Sequence, residues 1–192
     1  MRYTIALTSL LFLTGFGPIK ASNLLKPKIF SQVEKGKIFT KSQVNDAGPG
    51  RQKLFFKIAG IHEKTCKKAF RKLSRYENYE NYLDVVKKSK YSDQTNRVYF
   101  RLESPLLPFV MGLDFIIPRI TKAGDYKFRF DKGFLKGLTG NIHVIDHKKR
   151  CLIISDAKWE GPHSKIPNVV FEFFMSALGK LTMDNLFRIS KN

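Results

Sequence analysis

The sequence predicts an α+β fold in which a run of antiparallel strands ends in one long C-terminal helix. Three observations carry this. Tyr126-Lys127-Phe128-Arg129-Phe130-Asp131 alternates aromatic and charged side chains, the period-two signature of a strand buried on one face. Similar short segments recur along the chain, separated by turn-forming residues. From residue 165 to about 188 the period changes, and Val170, Phe174, Ala177, Leu178, Leu181 and Asn185 recur at helical spacing, with Phe171, Met175 and Thr182 alongside. Strands first and a helix last, without regular β–α alternation, argue for α+β and a curved sheet crossed by that helix on its concave face.

The elements read in order as follows. Met1-Arg2, an uncharged apolar run over 3–16, Gly17-Pro18 and the small Ala21 have the layout of a secretory signal peptide over 1–21. Lys20 comes too soon for a spanning helix, which needs about 20 apolar residues; an uncleaved N-terminal anchor is the alternative. Residues 22–52 read as an N-terminal extension with a possible strand over 33–44, closed by the turn cluster Asn45-Asp46-Ala47-Gly48-Pro49-Gly50. Residues 53–192 form the main domain. A half-buried strand over 53–61 leads to a helix over 63–73, which carries Cys66, Ala69, Phe70 and Leu73 on one stripe and cations opposite. A short helix or turn spans 75–83. Strands follow over 84–91, 97–103, 113–120, 125–131, 141–146 and 151–159, the last two joined by the hairpin turn Asp146-His147-Lys148-Lys149.

With 192 residues the chain is long enough to bury a core. Its formal charge is +19, and removing Arg2 and Lys20 with the signal segment leaves +17. Such a protein is drawn to polyanions, and export directs that attraction toward anionic membranes or envelope polymers rather than nucleic acid. Two basic segments, Lys64, Lys67, Lys68, Arg71 and Lys72, then Lys148, Lys149 and Arg150, are the candidates for a membrane-facing patch. Arg75, Lys87, Lys88 and Lys90 add further positive charge. A plain solvated face is the alternative. Aromatic side chains alternate inward, away from these charges, so no nucleic-acid partner is expected. The two cysteines, Cys66 and Cys151, lie among apolar neighbours and read first as buried free thiols. In an oxidising compartment a Cys66–Cys151 disulfide is the alternative.

The order of elements resembles the helix-grip fold of the START-like (SRPBCC) superfamily, which includes polyketide cyclase-like and coenzyme Q-binding proteins. The resemblance runs from about Val33 to Asn192. It rests on the strand–helix unit over 53–73, Tyr76-Glu77-Asn78-Tyr79, the turn Phe134-Leu135-Lys136-Gly137-Leu138-Thr139-Gly140, and Trp159-Glu160-Gly161 before the final helix. Members often open the first helix with Pro, where this chain has Ile61-His62-Glu63. The resemblance implies an apolar groove between sheet and terminal helix that holds a lipid, quinone or similar hydrophobic small molecule. Alternation places Phe56, Ile58, Phe100, Leu102, Phe115, Ile117, Phe128, Phe130 and Trp159 toward that groove, with Phe171, Phe174, Met175 and Leu178 above it. A filled core would use the same residues.

Catalytic signatures are sparse. His143 and His147 stand four apart but on a strand, so their rings diverge from a common metal. Gly179-Lys180-Leu181-Thr182 lacks the leading glycine of a phosphate loop, and there is no nucleophile elbow. No cofactor or metal is expected. Two functions survive: an exported binder or carrier of a hydrophobic ligand, and a cyclase- or hydrolase-like enzyme in the same groove. The second needs an inward acid or base, for which Asp114, Asp125 and Asp156 are the candidates, with Arg119 and Arg129 as charges able to orient a polar head. A basic interaction module with a closed groove is a third reading.

Overall fold

A computed structural model describes residues 24–105, 107 and 109–190; the segment read as a signal peptide lies outside the described residues. In chain order the elements are α1 (Pro27–Glu34), β1 (Phe39–Asp46), β2 (Arg51–His62), α2 (Cys66–Leu73), a 3₁₀ turn (Tyr76–Asn81), β3 (Val86–Ser92), β4 (Arg97–Leu102), β5 (Met111–Ile116), β6 (Gly124–Gly133), β7 (Thr139–His147), β8 (Arg150–Pro162) and α3 (Asn168–Ile189). The eight strands make one antiparallel sheet in the order β1-β2-β8-β7-β6-β5-β4-β3. The sheet is curved and unclosed, and the long terminal helix matches the helix-grip arrangement.

Alternation determines which side chains face the concave side. Phe56 and Ile58 on β2, Ile153 and Ser155 on β8, Ile142 on β7, Phe130 on β6, Phe115 on β5 and Phe100 on β4 all point there. Charged residues gather on the convex face of β4, β5 and β6. Arg97 on β4 binds Asp131 on β6 with a pair of hydrogen bonds of 2.8 and 2.7 Å and also binds Asp114 on β5. Its guanidinium holds the Asp131 carboxyl below the usual carboxylate range. The register shifts between Asp114 and Phe115, which brings Asp131 within reach of that arginine. At the end of β6, Gly133 has φ +80° and an added Cβ would collide with the Gly112 carbonyl oxygen, so only glycine fits there.

The N-terminal region departs from the expected strand over 33–44. Pro27 opens a helix, Gly36 at φ +80° closes it, and the strand begins only at Phe39. Val33, Ile29 and Phe30 cover Ala59, Ile61, Leu152 and Ile154 in a small second core on the convex face. Eight residues with three apolar positions give too short a period to be read as a helix. Glu34 fixes this helix to the β7–β8 hairpin: its carboxylate accepts from His147 Nε2 at 2.9 Å and Lys148 Nζ at 3.0 Å, and its carbonyl from Arg150. The hairpin turn itself holds Lys148 and Lys149 at φ 49° and 64°.

Cys66 and Cys151 are joined, with sulfurs 2.11 Å and Cα atoms 4.6 Å apart, so the reading as free thiols is corrected. The first residue of α2 lies against the start of β8, a proximity across 85 residues that composition around either cysteine does not reveal. At the other end of the sheet, Gln52 is fully buried and fully satisfied. Its Nε2 donates to the Ile166 carbonyl and Asn168 Oδ1, and its Oε1 accepts from the Ser164 amide and hydroxyl. This side chain sets the entry into α3.

Candidate functional site: an apolar cavity under the terminal helix

α3 crosses the concave face and rests chiefly on β1 and β2. Ser42 Oγ donates to the Glu172 carbonyl at 2.5 Å and lies 2.6 Å from Ser176 Oγ, and the Val44 amide donates to the Glu172 carboxylate. At its far end His62 Nε2 meets Ser190 Oγ at 2.8 Å, and Lys72 Nζ donates to the Ile189 carbonyl. Between helix and sheet lies a cavity of about 380 Å³. That is within the usual range of small-molecule sites, about 300–1,000 Å³.

Nine of the thirteen predicted ligand-facing residues line this cavity: Phe56, Ile58, Phe100, Leu102, Phe115, Ile117, Phe130, Met175 and Leu178. The other four do not. Trp159 and Phe171 are buried in a second apolar cluster under the N-terminal half of α3, where their rings meet edge to face at 6.2 Å and Trp159 Nε1 donates to the Lys136 carbonyl. Phe128 packs against that cluster, and Phe174 spans it and lines a groove on the surface. These aromatics pack into a filled core instead of bounding the cavity.

Sequence reasoning misses much of the remaining wall. Phe70 and Leu73 on α2, and Tyr76 and Tyr79 on the 3₁₀ turn, close one side. Thr182, Met183, Leu186 and Phe187 extend the lid by two further turns beyond Leu178. The apolar stripe of α2 is a usable signal, since a short helix flanking a grooved sheet has only that groove to cover. The glycine at 179 is a second: an added Cβ would sit 2.6 Å from the Phe56 ring.

The polar content of the cavity is small. Tyr76 and Tyr79 donate their hydroxyls to the carbonyls of Pro118 and Leu73, and burial pushes both phenols up, so both remain neutral donors already in use. The hydroxyls of Ser155 and Thr182 complete the polar lining. Among the described residues no carboxylate, imidazole, amine or guanidinium lines the cavity.

The acid–base candidates lie elsewhere. Asp114 is bound by Arg97; Asp125 meets His143 Nδ1 at 2.6 Å; Asp156 accepts from Asn141 and lies 3.5 Å from His143 Nε2. All belong to the convex face. Arg119 is engaged by Asp93 and Glu77 and lies over the Tyr91 ring, while Arg129 is exposed. His143 and His147 are each taken by a different carboxylate.

The two basic segments come together at one end of the molecule, since the disulfide and the bond from the Cys66 amide to Asp146 set α2 beside the β7–β8 turn. Lys67, Lys68, Arg71 and Lys149 are exposed there, with Lys64 half-buried. Lys72 and Arg150 are engaged by the Ile189 and Glu34 carbonyls, and Lys148, also exposed, pairs with the Glu34 carboxylate.

No protein-family model and no curated protein sequence matches this chain. Solved structures do. A START superfamily protein from Mycobacterium smegmatis superposes with a TM-score of 0.57 at 7% identity, over 71% of this chain and 97% of that one. A Thermus thermophilus protein gives 0.58 at 9% identity, over 70% and 94%. The Zhui aromatase/cyclase from Streptomyces sp. R1128 gives 0.53 at 6% identity, over 81% and 94%. The chain has the START-like helix-grip fold, as the order of its elements implied.

Proposed function

We propose that this protein is an exported binder or carrier of a hydrophobic small molecule, a lipid, quinone or similar compound, held between the sheet and α3. The cavity of about 380 Å³ with an almost wholly apolar wall carries the reading. Apolar burial supplies the binding free energy, about 25 cal/mol per Å² removed from water. Ser155 and Thr182 are the only hydroxyl-bearing lining residues besides the two tyrosines among the described residues, which suits a ligand with few polar groups on a hydrocarbon or aromatic body. The START-like fold is consistent with such a ligand. Export is supported by the N-terminal signal pattern and by the Cys66–Cys151 disulfide, a bond that persists in oxidising compartments. The exposed cations Lys67, Lys68, Arg71 and Lys149 support transient attraction to an anionic membrane.

The fold likeness to an aromatase/cyclase supports a second reading, catalysis on an apolar substrate in the same cavity. The lack of any acid or base stronger than a phenol or hydroxyl among the lining residues counts against it.

The test is native mass spectrometry of the exported protein purified without detergent, followed by solvent extraction. A discrete adduct that is lost on denaturation and recovered as an apolar molecule is expected. Gly179→Leu, which drives a side chain into the Phe56 ring, is expected to lower adduct occupancy while the protein stays folded. A bare polypeptide mass, unchanged after incubation with lipid extract, overturns the carrier reading.

A further inference from the structure

α3 is apolar on more than the side that covers the cavity. Only Phe171 of its twenty-two residues is fully buried. Val169 and Phe173 are 80% and 74% exposed, and Val170 and Leu181 are also exposed. Positions 169, 173, 177 and 181 repeat every four residues, so Val169, Phe173, Ala177 and Leu181 make one outward stripe. Exposed Phe109 touches the Phe134 ring, which in turn meets Phe171, so Phe109 and its neighbour Val110 extend the apolar surface at the N-terminal end of the helix. An exposed apolar patch of this kind marks an interaction site.

The stripe is tied to the cavity. Val170, Phe173, Phe174, Ala177, Leu178 and Leu181 form one side of a surface groove of about 450 Å³, with Val85 and Leu107 opposite. Val85 and Leu178 line both this groove and the inner cavity, so a single layer of side chains separates the two. Charge selects the occupant. A second copy of a chain with formal charge +19 is repelled, whereas an anionic lipid surface is attracted. Lys165, just before α3, and Lys180 and Arg188 on it lie exposed, against one exposed acid on the helix, Asp184. No helix of the described residues is long and apolar enough to cross a membrane, so the contact is with a surface.

We propose that the outward stripe of α3, with Phe109 and Val110, is where this protein seats itself on an anionic bilayer, apolar side chains entering the headgroup region and the flanking cations engaging lipid phosphates. The cavity then faces the lipid through the wall of Val85 and Leu178. The proposal rests on the carrier reading for its purpose, and its test is independent of it.

The probe is cosedimentation of the protein with vesicles of equimolar phosphatidylglycerol and phosphatidylcholine, compared with pure phosphatidylcholine. Binding to the anionic vesicles that weakens with salt is expected. Phe173→Ser should lower partition roughly tenfold, the effect of withdrawing one large apolar side chain from a nonpolar contact. The pair Val169→Ser/Phe173→Ser should lower it further. Circular dichroism should be unchanged, since both side chains are exposed. Lys67→Ser/Lys68→Ser should change partition less than Phe173→Ser. Unchanged partition for the α3 variants, or loss confined to the lysine pair, overturns the proposal. So does a wild-type dimer in analytical ultracentrifugation that the α3 pair converts to monomer, which would make the stripe a self-association face. A protein that binds vesicles through Phe173 yet never carries an extractable ligand refutes the carrier reading and leaves the docking surface standing.

Discussion

Replacing both cysteines, as Cys66→Ala/Cys151→Ala, should destabilise the protein by an amount set by the loop they close. The bond spans 85 residues. Loop-closure entropy for that length corresponds to about 4.6 kcal/mol at room temperature, against a typical loss of about 2–5 kcal/mol when a native disulfide is removed. A domain of this size with about 5–15 kcal/mol of total stability is left marginal. The effect should also be local. α2 is eight residues long and holds Phe70 and Leu73 against the cavity, so its amides should lose protection first. Urea unfolding followed by circular dichroism measures the global loss, and hydrogen exchange of α2 measures the local one. A double variant within about 1 kcal/mol of wild type, a figure typical of any single substitution, would refute the argument that this bond organises the cavity wall.

Two further outcomes are expected. His62 is buried and neutral: the Lys64 amide donates to its Nδ1, Nε2 lies against Ser190 Oγ, and that hydroxyl donates on to Leu186. Burial depresses its pKa below the ordinary 6.5, with Lys64 and Glu63 as the nearby charges, so its contribution to stability is complete above about 6.5 and is lost as pH falls toward the folded-state value. Denaturation midpoints at about pH 5 and about pH 8 should therefore differ more for wild type than for His62→Gln, and equal differences would exclude this residue as the cause. Lys149 has φ 64° in the hairpin, so Lys149→Gly should relieve conformational strain and stabilise the protein by up to about 1 kcal/mol, read as a shift in urea midpoint; a destabilised variant would show that the lysine side chain contributes more than its backbone costs.

Most of the strands after residue 50 are legible from a period of two, clearest in β6 with Tyr126, Phe128 and Phe130 on one side. The inward faces follow from the same alternation, which is why Phe56, Phe100, Phe115 and Phe130 can be assigned to the cavity from sequence. α3 is legible as a helix, but its orientation is not. Its periodicity puts Val170, Ala177 and Leu181 in the covered stripe, yet they are exposed, while Met183, Leu186 and Phe187 face the cavity. A helix apolar on several sides has no preferred direction in its own sequence, and packing against β1 and β2 chooses it. The Phe128–Trp159–Phe171 packing is hidden for a related reason: alternation says that a residue points inward but not whether it meets a cavity or a filled core. α1 and the pairing of Cys66 with Cys151 depend on contacts across more than eighty residues, which local pattern does not encode.

The tethering of α3 is one-sided. Its hydrogen bonds run to Ser42, Val44, Gln52 and His62 along one border of the sheet and to Lys72 at the end, while its other long side meets Val85 and Leu107 through apolar contact. Dispersion contacts slide and re-form with little directional penalty, whereas hydrogen bonds hold one geometry. On the proposed carrier reading, the helix would act as a flap hinged on one border, and a cavity that widens by degrees beneath it would grade its ligands by bulk instead of admitting one shape.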